Sequence, residues 1–237
     1  MKVTLTRVTQ DPVQAIEEAA SNCYDSEPTA DGRIMRSCYK SGHHSVLEFA
    51  DFTFHVAGVS RTLLAQLTRH RVASFAVRSQ RYCEENDFGY VIPHTIQNND
   101  GAQAIYNGIM NQIQLGYDAL LELDIPAEDA RFVLPNACET ILEVKMNGRE
   151  LIHFMNERLC TRAQWEIREM ALHMKKCVRE HDEQCAEFAK FLRPKCQIHA
   201  PYNFCTEGHG ACGAAPKLKD VYKAYLASLV ENGDANE

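Results

Sequence analysis

The sequence predicts a mixed α+β fold dominated by helices. Three observations carry that prediction. Apolar residues recur at helical spacing over long windows, above all between Ala163 and Leu192. Strict apolar–polar alternation, the mark of a half-buried strand, is confined to short segments far apart in the chain. With 237 residues, 45% hydrophobic and 24% charged, the chain has the apolar surface for one large core and is too apolar for wholesale disorder.

Each element has its own reason. Residues 2–9 are a strand by their Val, Leu and Thr content, and 11–20 and 29–40 are short helices. From Ala50 to Val56 the chain alternates, with Ala50, Phe52, Phe54 and Val56 on one face and Asp51, Thr53 and His55 on the other. Ser60 then caps a helix running toward Arg69. Residues 100–123 form a helix, and Pro126 starts a second, short one. Residues 138–146 suit a strand whose apolar members are Ile141, Val144 and Met146, followed by a helix from Arg149 to Leu159. The longest helix spans Ala163 to Leu192, with Ile167, Met170, Met174, Cys177, Val178, Cys185 and Phe188 on its apolar side and Pro194 as its stop. Lys217 to Val230 is a final helix, and the last residues, ENGDANE, are expected to fray.

Charge is distributed unevenly. The formal net charge is −7, which argues against indiscriminate attraction to nucleic acid or anionic membrane. Yet from Phe52 to Cys83 there is no Asp, Glu or Lys, and five arginines: Arg61, Arg69, Arg71, Arg78 and Arg81. The other 20 of the 25 basic residues face all 32 acidic ones, so the rest of the chain is net −12. An arginine island without local counter-charge calls for an anionic ligand or for acidic partners from elsewhere in the fold. No apolar run approaches the roughly 20 residues needed to span a bilayer. The opening residues, MKVTLTRVTQ, lack an apolar signal core, which predicts a cytoplasmic location.

Ten cysteines in a reducing cytoplasm are expected to stay thiols, with Cys177 and Cys185 as small core residues. Cys196, His199, Cys205, His209 and Cys212 crowd into 17 residues, but without the paired CxxC spacing of common zinc modules. The expectation there is a loop of reduced thiols, with no metal assigned.

Two helices carry charge onto faces that should be apolar. If the helix from Ser60 persists to Arg71, His70 projects near Leu63 and Leu67, and Arg71 near Leu64. Either it ends at Thr68 and the triplet is solvated, or His70 and Arg71 line a pocket, where a buried guanidinium demands an anion. On the helix from Arg149, Leu151, Met155 and Leu159 mark one face. Arg158 lies beside Leu151, and Arg149, His153 and Glu157 form a separate polar stripe. There is no GxGxxG, P-loop, GxSxG or HExxH. The residues by themselves lead to an anion pocket built from arginines of several segments. The alternative is a non-catalytic nucleic-acid-binding module using Arg61–Arg81.

A further pattern is more specific. Arg69-His70-Arg71, seven residues, Ser79, then Gln80-Arg81-Tyr82 resembles the signature of the flavin-dependent thymidylate synthases, the ThyX family. Upstream, Gly42-His43-His44-Ser45 with Glu48 looks like the family's GHxS/TxxE segment, followed by the strand Phe52–Val56. Downstream, Ala130-Arg131 with Pro135, Asn147-Gly148-Arg149, Arg158 and Ala163-Gln164-Trp165-Glu166-Ile167 fall in the family's order. The resemblance covers roughly residues 1–192, a catalytic domain, and leaves 193–237 as a Cys/His-containing C-terminal extension with the final helix.

The resemblance implies a helix-rich single domain, α+β, with a small mostly antiparallel sheet of the thymidylate synthase-complementing type. It implies methylation of dUMP to dTMP, with 5,10-methylenetetrahydrofolate as carbon donor, FAD reduced by NADPH as hydride donor, and release of tetrahydrofolate. It also implies a homotetramer with shared active sites, and no nucleic-acid or membrane partner. By similarity, Ser45, Arg69, His70, Arg71, Asn147, Arg149 and His153 meet flavin. Gln66, Arg69, Arg78, Ser79, Gln80, Arg81, Arg131 and Arg158 meet the nucleotide, and Arg158 is the catalytic residue. Ala76 and Val77 stand where many members carry Asn and an acidic residue. His153 stands where Asn is common, and Arg162 where His is common.

Overall fold

The computed structural model describes residues 1–23, 25–198 and 203–233. In chain order its elements are β1 (Lys2–Val8), α1 (Pro12–Asn22), α2 (Arg33–Lys40), a 3-10 segment (His44–Phe49), β2 (Asp51–Ser60), α3 (Arg61–Leu67), β3 (Ser74–Val77), α4 (His94–Gln97) and α5 (Asp100–Glu122). Then follow α6 (Ala127–Ala130), β4 (Glu139–Asn147), α7 (Gly148–Arg158), α8 (Trp165–Arg179), α9 (Glu183–Phe188) and α10 (Leu218–Gly233). The fold is α+β, as expected. Two compact units share the chain, each assembled from two stretches: residues 1–8 with 51–146, and residues 9–50 with 147–237.

The first unit holds the sheet, in the order β1-β2-β4-β3, with β1–β2 and β3–β4 antiparallel. The alternation seen in the sequence is realised in β2, where Phe52, Phe54 and Val56 are fully buried. The strand continues to Ser60 rather than stopping at Val56. On β4 the register differs from the expected one. Thr140, Leu142, Val144 and Met146 are buried, and Ile141 lies on the opposite face, 41% exposed. Period-two geometry puts Ile141 with Glu143 and Lys145, whose partners define the polar face. There Glu143 Oε1 meets His55 Nδ1 at 2.7 Å, and Lys145 Nζ meets Asp51 Oδ2 at 2.8 Å, cross-strand pairs of modest energy. A satellite cluster of Phe88, Met110 and Cys138 packs with Tyr90 and Tyr106 against α5.

The second unit is built on α1, α7, α8 and α9. Helix α2 starts at Arg33, four residues later than expected, because Asp31 Oδ1 accepts the Arg33 N–H at 2.8 Å and holds the preceding residues in a turn. The carboxylate of Glu17 is fully buried on α1 and accepts from the N–H groups of Thr29, Ile34 and Met35 and from the Thr29 hydroxyl, so it serves the otherwise unpaired start of α2. The single helix expected over 163–192 is broken. Helix α8 ends at Arg179, and Asp182 Oδ1 accepts the Cys185 N–H at 2.7 Å to cap α9. The apolar side nevertheless stays buried from Ile167 through Val178 to Leu192, although Cys177 is partly exposed rather than core. The final helix runs to Gly233, through three residues expected to fray, and 234–237 lie outside the described residues. No helix among the described residues is long and apolar enough to cross a membrane.

Candidate active site

In the first unit the Arg-His-Arg triplet is set by a helix end. Ser60 Oγ accepts the Leu63 N–H at 3.1 Å, a cap of the kind that contributes about 1 kcal/mol. The helix stops at Leu67, so it does not carry His70 and Arg71 onto its apolar face. Instead the His70 N–H bonds to Leu67 O at 3.1 Å, and the Ala73 N–H to His70 O at 3.2 Å. This turn buries the His70 side chain, 5% exposed, between Arg69 and Arg71, which both face outward. The two readings left open by the sequence are each half realised: the helix ends near Thr68, and the histidine is still internal.

The arginine island divides in the same manner. Arg78 Nε lies 3.3 Å from the buried carboxylate of Glu85, and two nitrogens of Arg81 lie 2.9 Å from Glu128 Oε2. Arg131 Nε donates to the backbone carbonyl of Glu128 at 3.0 Å, so Arg81 and Arg131 converge on one residue. Arg61 donates from Nη2 to Arg78 O at 2.9 Å, while its buried Nε has no hydrogen-bond partner among the described residues. Burial pushes the Arg61 guanidinium below its ordinary range, with nearby Cys138 and Glu85 opposing the shift. Arg69 and Arg71 have no ion pair or side-chain hydrogen bond among the described residues. Three acceptors, the Arg78 carbonyl, Glu85 and Glu128, thus engage Arg61, Arg78 and Arg81, and Arg69 and Arg71 keep their guanidinium groups turned outward. Nucleic-acid binding by an uninterrupted Arg61–Arg81 surface has no support: acidic Glu85 and Glu128 sit among these arginines and break the run of positive charge.

The remaining nucleotide candidates in this unit are Ser79, Gln80 and Gln66. Ser79 Oγ accepts the Arg81 N–H at 3.2 Å, so its hydroxyl shapes the turn that presents Arg81. Gln80 is buried, its Nε2 3.4 Å from Cys138 Sγ, and Gln66 is half-buried on α3. Ala76 and Val77 lie on β3, the edge strand, where one row of backbone groups faces away from the ladder.

In the second unit the sequence motifs explain one another. Asn147 Oδ1 accepts the Glu150 N–H at 2.9 Å and caps α7. Gly148 follows because a Cβ there would stand 2.5 Å from the backbone oxygen of Leu47, and its N–H bonds to Ala50 O at 2.7 Å. Arg149 Nη1 then meets Glu48 Oε1 at 2.7 Å. The Asn-Gly-Arg and Gly-His-His-Ser segments are therefore two sides of one contact. His44 stacks on Tyr39 with ring centroids 5.0 Å apart and fixes the turn from which Ser45 projects, exposed. On α7, Arg149, His153 and Glu157 form the expected exposed stripe, Leu151 and Met155 are buried, and Arg158 is half-buried at the helix end. Burial pushes the Glu150 carboxyl up, opposed by His153. Gln164 caps α8 through the N–H groups of Glu166 and Ile167. Arg162 approaches Glu207 at 4.0 Å instead of standing alone.

Sequence reasoning quoted Glu48 only as a motif letter and missed the acceptors Glu85 and Glu128. The acid-free stretch pointed toward such partners, but nothing in the linear sequence ties Arg81 to a glutamate 47 residues later.

Within the first unit, the outward guanidinium groups of Arg69 and Arg71 beside buried His70 offer planar donors of the kind that suit phosphate or carboxylate oxygens. A sequence profile of the thymidylate synthase complementing proteins matches residues 4–182. A flavin-dependent thymidylate synthase of Geobacter sulfurreducens is 38% identical over 235 residues, covering 94% of this chain and 98% of the relative. That of Clostridium tetani is 34% identical over 248 residues, covering 94% and 97%. The chain belongs to the thymidylate synthase complementing protein family, that of the flavin-dependent thymidylate synthases. A solved structure of ThyX from Helicobacter pylori, complexed with FAD and dUMP, shares the fold with a TM-score of 0.62 at 24% identity, covering 75% of this chain and 94% of that one.

Proposed function

We propose that this chain methylates dUMP to dTMP, taking the carbon from 5,10-methylenetetrahydrofolate, with FAD reduced by NADPH as hydride source and tetrahydrofolate as the released product. Family membership over nearly the whole chain supports the reaction class. The observation in this structure that carries it is the pair of unpartnered guanidinium groups, Arg69 and Arg71, flanking buried His70 in a stretch without acids.

The donor set suits a flavin dinucleotide. Arg69 and Arg71 offer planar donors to a pyrophosphate, and His70 offers a buried ring edge. Ser45, Asn147, Arg149 and His153 complete the assignment; Asn147 already uses its side-chain oxygen as a cap, and Arg149 must share itself with Glu48. Bound FAD supplies the hydride that turns the transferred methylene into a methyl group. The nucleotide falls to Gln66, Arg69, Arg78, Ser79, Gln80, Arg81, Arg131 and Arg158. Pairing with Glu85 and Glu128 holds Arg78 and Arg81 in place before any phosphate arrives. Arg158 is the catalytic residue: its positive charge stabilises the uracil ring as N3 ionises and C5 becomes nucleophilic.

Residues 1–192 carry this chemistry, and 193–237 are an extension. The exposed Ile105, Ile109 and Leu115 on α5 suit burial in a homotetramer with shared active sites. Ten free thiols suit a reducing cytoplasm. The deciding experiment is the visible spectrum of the purified protein before and after NADPH. Flavin absorption that bleaches on reduction, with dTMP formed once dUMP and methylenetetrahydrofolate are added, is expected. A colourless protein that does not take up added FAD refutes the reading.

A further inference from the structure

Three cysteines of the extension and one from the exit of α7 line the same small cavity. Cys160, two residues beyond the end of α7, lines a single cavity of about 40 Å³ together with Cys196, Cys205 and Cys212. The first of these was not among the clustered Cys/His positions in the sequence, and His199 of that cluster lies outside the described residues.

The size of the cavity limits what it can hold. Small-molecule sites occupy roughly 300–1,000 Å³, so an organic ligand is excluded. A single water takes about 30 Å³ in the liquid and needs two to four polar partners. A void of this scale with four cysteines among its lining residues fits one soft-preferring ion better than either. We infer that Cys160, Cys196, Cys205 and Cys212 form a four-thiolate site for one structural zinc ion.

The surroundings support that assignment. Zinc requires thiolates, and tetrahedral four-sulfur sites are its structural form, with no open position for chemistry. Lys195 Nζ sits 2.7 Å from Glu207 Oε1 and Arg162 Nε 4.0 Å from Glu207 Oε2, which supplies positive charge beside a site of net −2. The loop bearing Cys205 and Cys212 is closed by the Cys205 N–H bonding to Pro216 O at 2.7 Å and by a bridge to Lys217.

A separate trio, His181, Asp182 and Cys185, has its ligand atoms within 4.8 Å of one another, a spacing the four thiols do not reach. That trio needs no ion, because Asp182 is there as the cap of α9. Ligation at Zn–S distances of about 2.3 Å therefore contracts the cavity around Cys160, Cys196, Cys205 and Cys212, coupling metal uptake to local packing. Through Cys160 the ion anchors the exit of α7 to the tail.

The test uses the full chain purified without added chelator or metal. Elemental analysis is expected to find one zinc per chain, lost in Cys196→Ser and in Cys212→Ser and kept in Cys23→Ser, whose thiol is exposed and outside this cavity. Protein without zinc that also fails to take up added Zn²⁺ or Co²⁺ overturns the inference, as does full retention of zinc in both serine variants. If those variants do not fold, titration of wild type with an organomercurial decides. Zinc released in step with four thiols supports the site, and modification of the thiols without release refutes it. Metal content is read independently of turnover, so this result stands or falls apart from the flavin reading.

Discussion

The guanidinium of Arg149 holds the carboxylate of Glu48 at 2.7 Å across 101 residues of chain, and the two motifs they belong to make contact through it. Both side chains are more than two-fifths exposed, so the pair contributes little to stability, about 0–1 kcal/mol. Glu48→Gln is therefore expected to unfold in urea within about 1 kcal/mol of wild type, while Arg149→Ala, with similar stability, retains less FAD on gel filtration. Equal FAD content in wild type and Arg149→Ala would remove Arg149 from the flavin set.

Gly148 is a different case, because its neighbour is backbone. The Leu47 carbonyl 2.5 Å from a would-be Cβ cannot swing aside as a side chain can. Gly148→Ala is expected to lose about 1–3 kcal/mol or more, seen as a lower urea midpoint with an unchanged slope. A midpoint equal to wild type would show that the contact is loose.

Arg71→Ala tests the unpartnered half of the arginine island. Hydrogen bonds to charged groups contribute about 1.5–3 kcal/mol, so FAD affinity should fall by roughly ten- to a hundredfold. The purified variant should be visibly paler; one as yellow as wild type contradicts the assignment.

Arg158→Ala separates binding from chemistry. FAD content is expected to stay near wild type while dTMP formation falls by about 10²–10³-fold, the range for removing one group that stabilises developing charge. Arg158→Lys should recover part of it. Unchanged turnover in the alanine variant would take Arg158 out of catalysis.

Two buried thiols set an alkaline limit. Burial pushes Cys138 up to about 11 and Cys185 up to about 12 from an ordinary value of 9.0. The unfolded chain then loses these protons first, so their contribution is intact below about pH 9 and is lost as pH rises toward the folded values. Urea midpoints should be flat from neutral pH to about 9 and then fall; Cys185→Ala should flatten the fall. Both thiols should also resist iodoacetamide at pH 8, where Cys23 reacts.

Much of this was legible in the sequence where periodicity is strong and local. The buried row of β2 follows from its alternation, and the Ser60 cap from a hydroxyl just before an apolar run. The break between α8 and α9 was not, because Val178 and Cys185 remain on buried faces on either side of it and the apolar spacing reads through. His70 is buried by a turn whose hydrogen bonds are backbone to backbone and leave no mark on residue type. Cys160 escaped notice because 36 residues separate it from Cys196, and only the packing of the extension against the exit of α7 brings them to one cavity.

The outward guanidinium groups of Arg69 and Arg71 have a practical consequence under the proposed flavin assignment. Sulfate and inorganic phosphate would then compete with FAD for the same donors, and cofactor loading would become a property of the solution as well as of the chain.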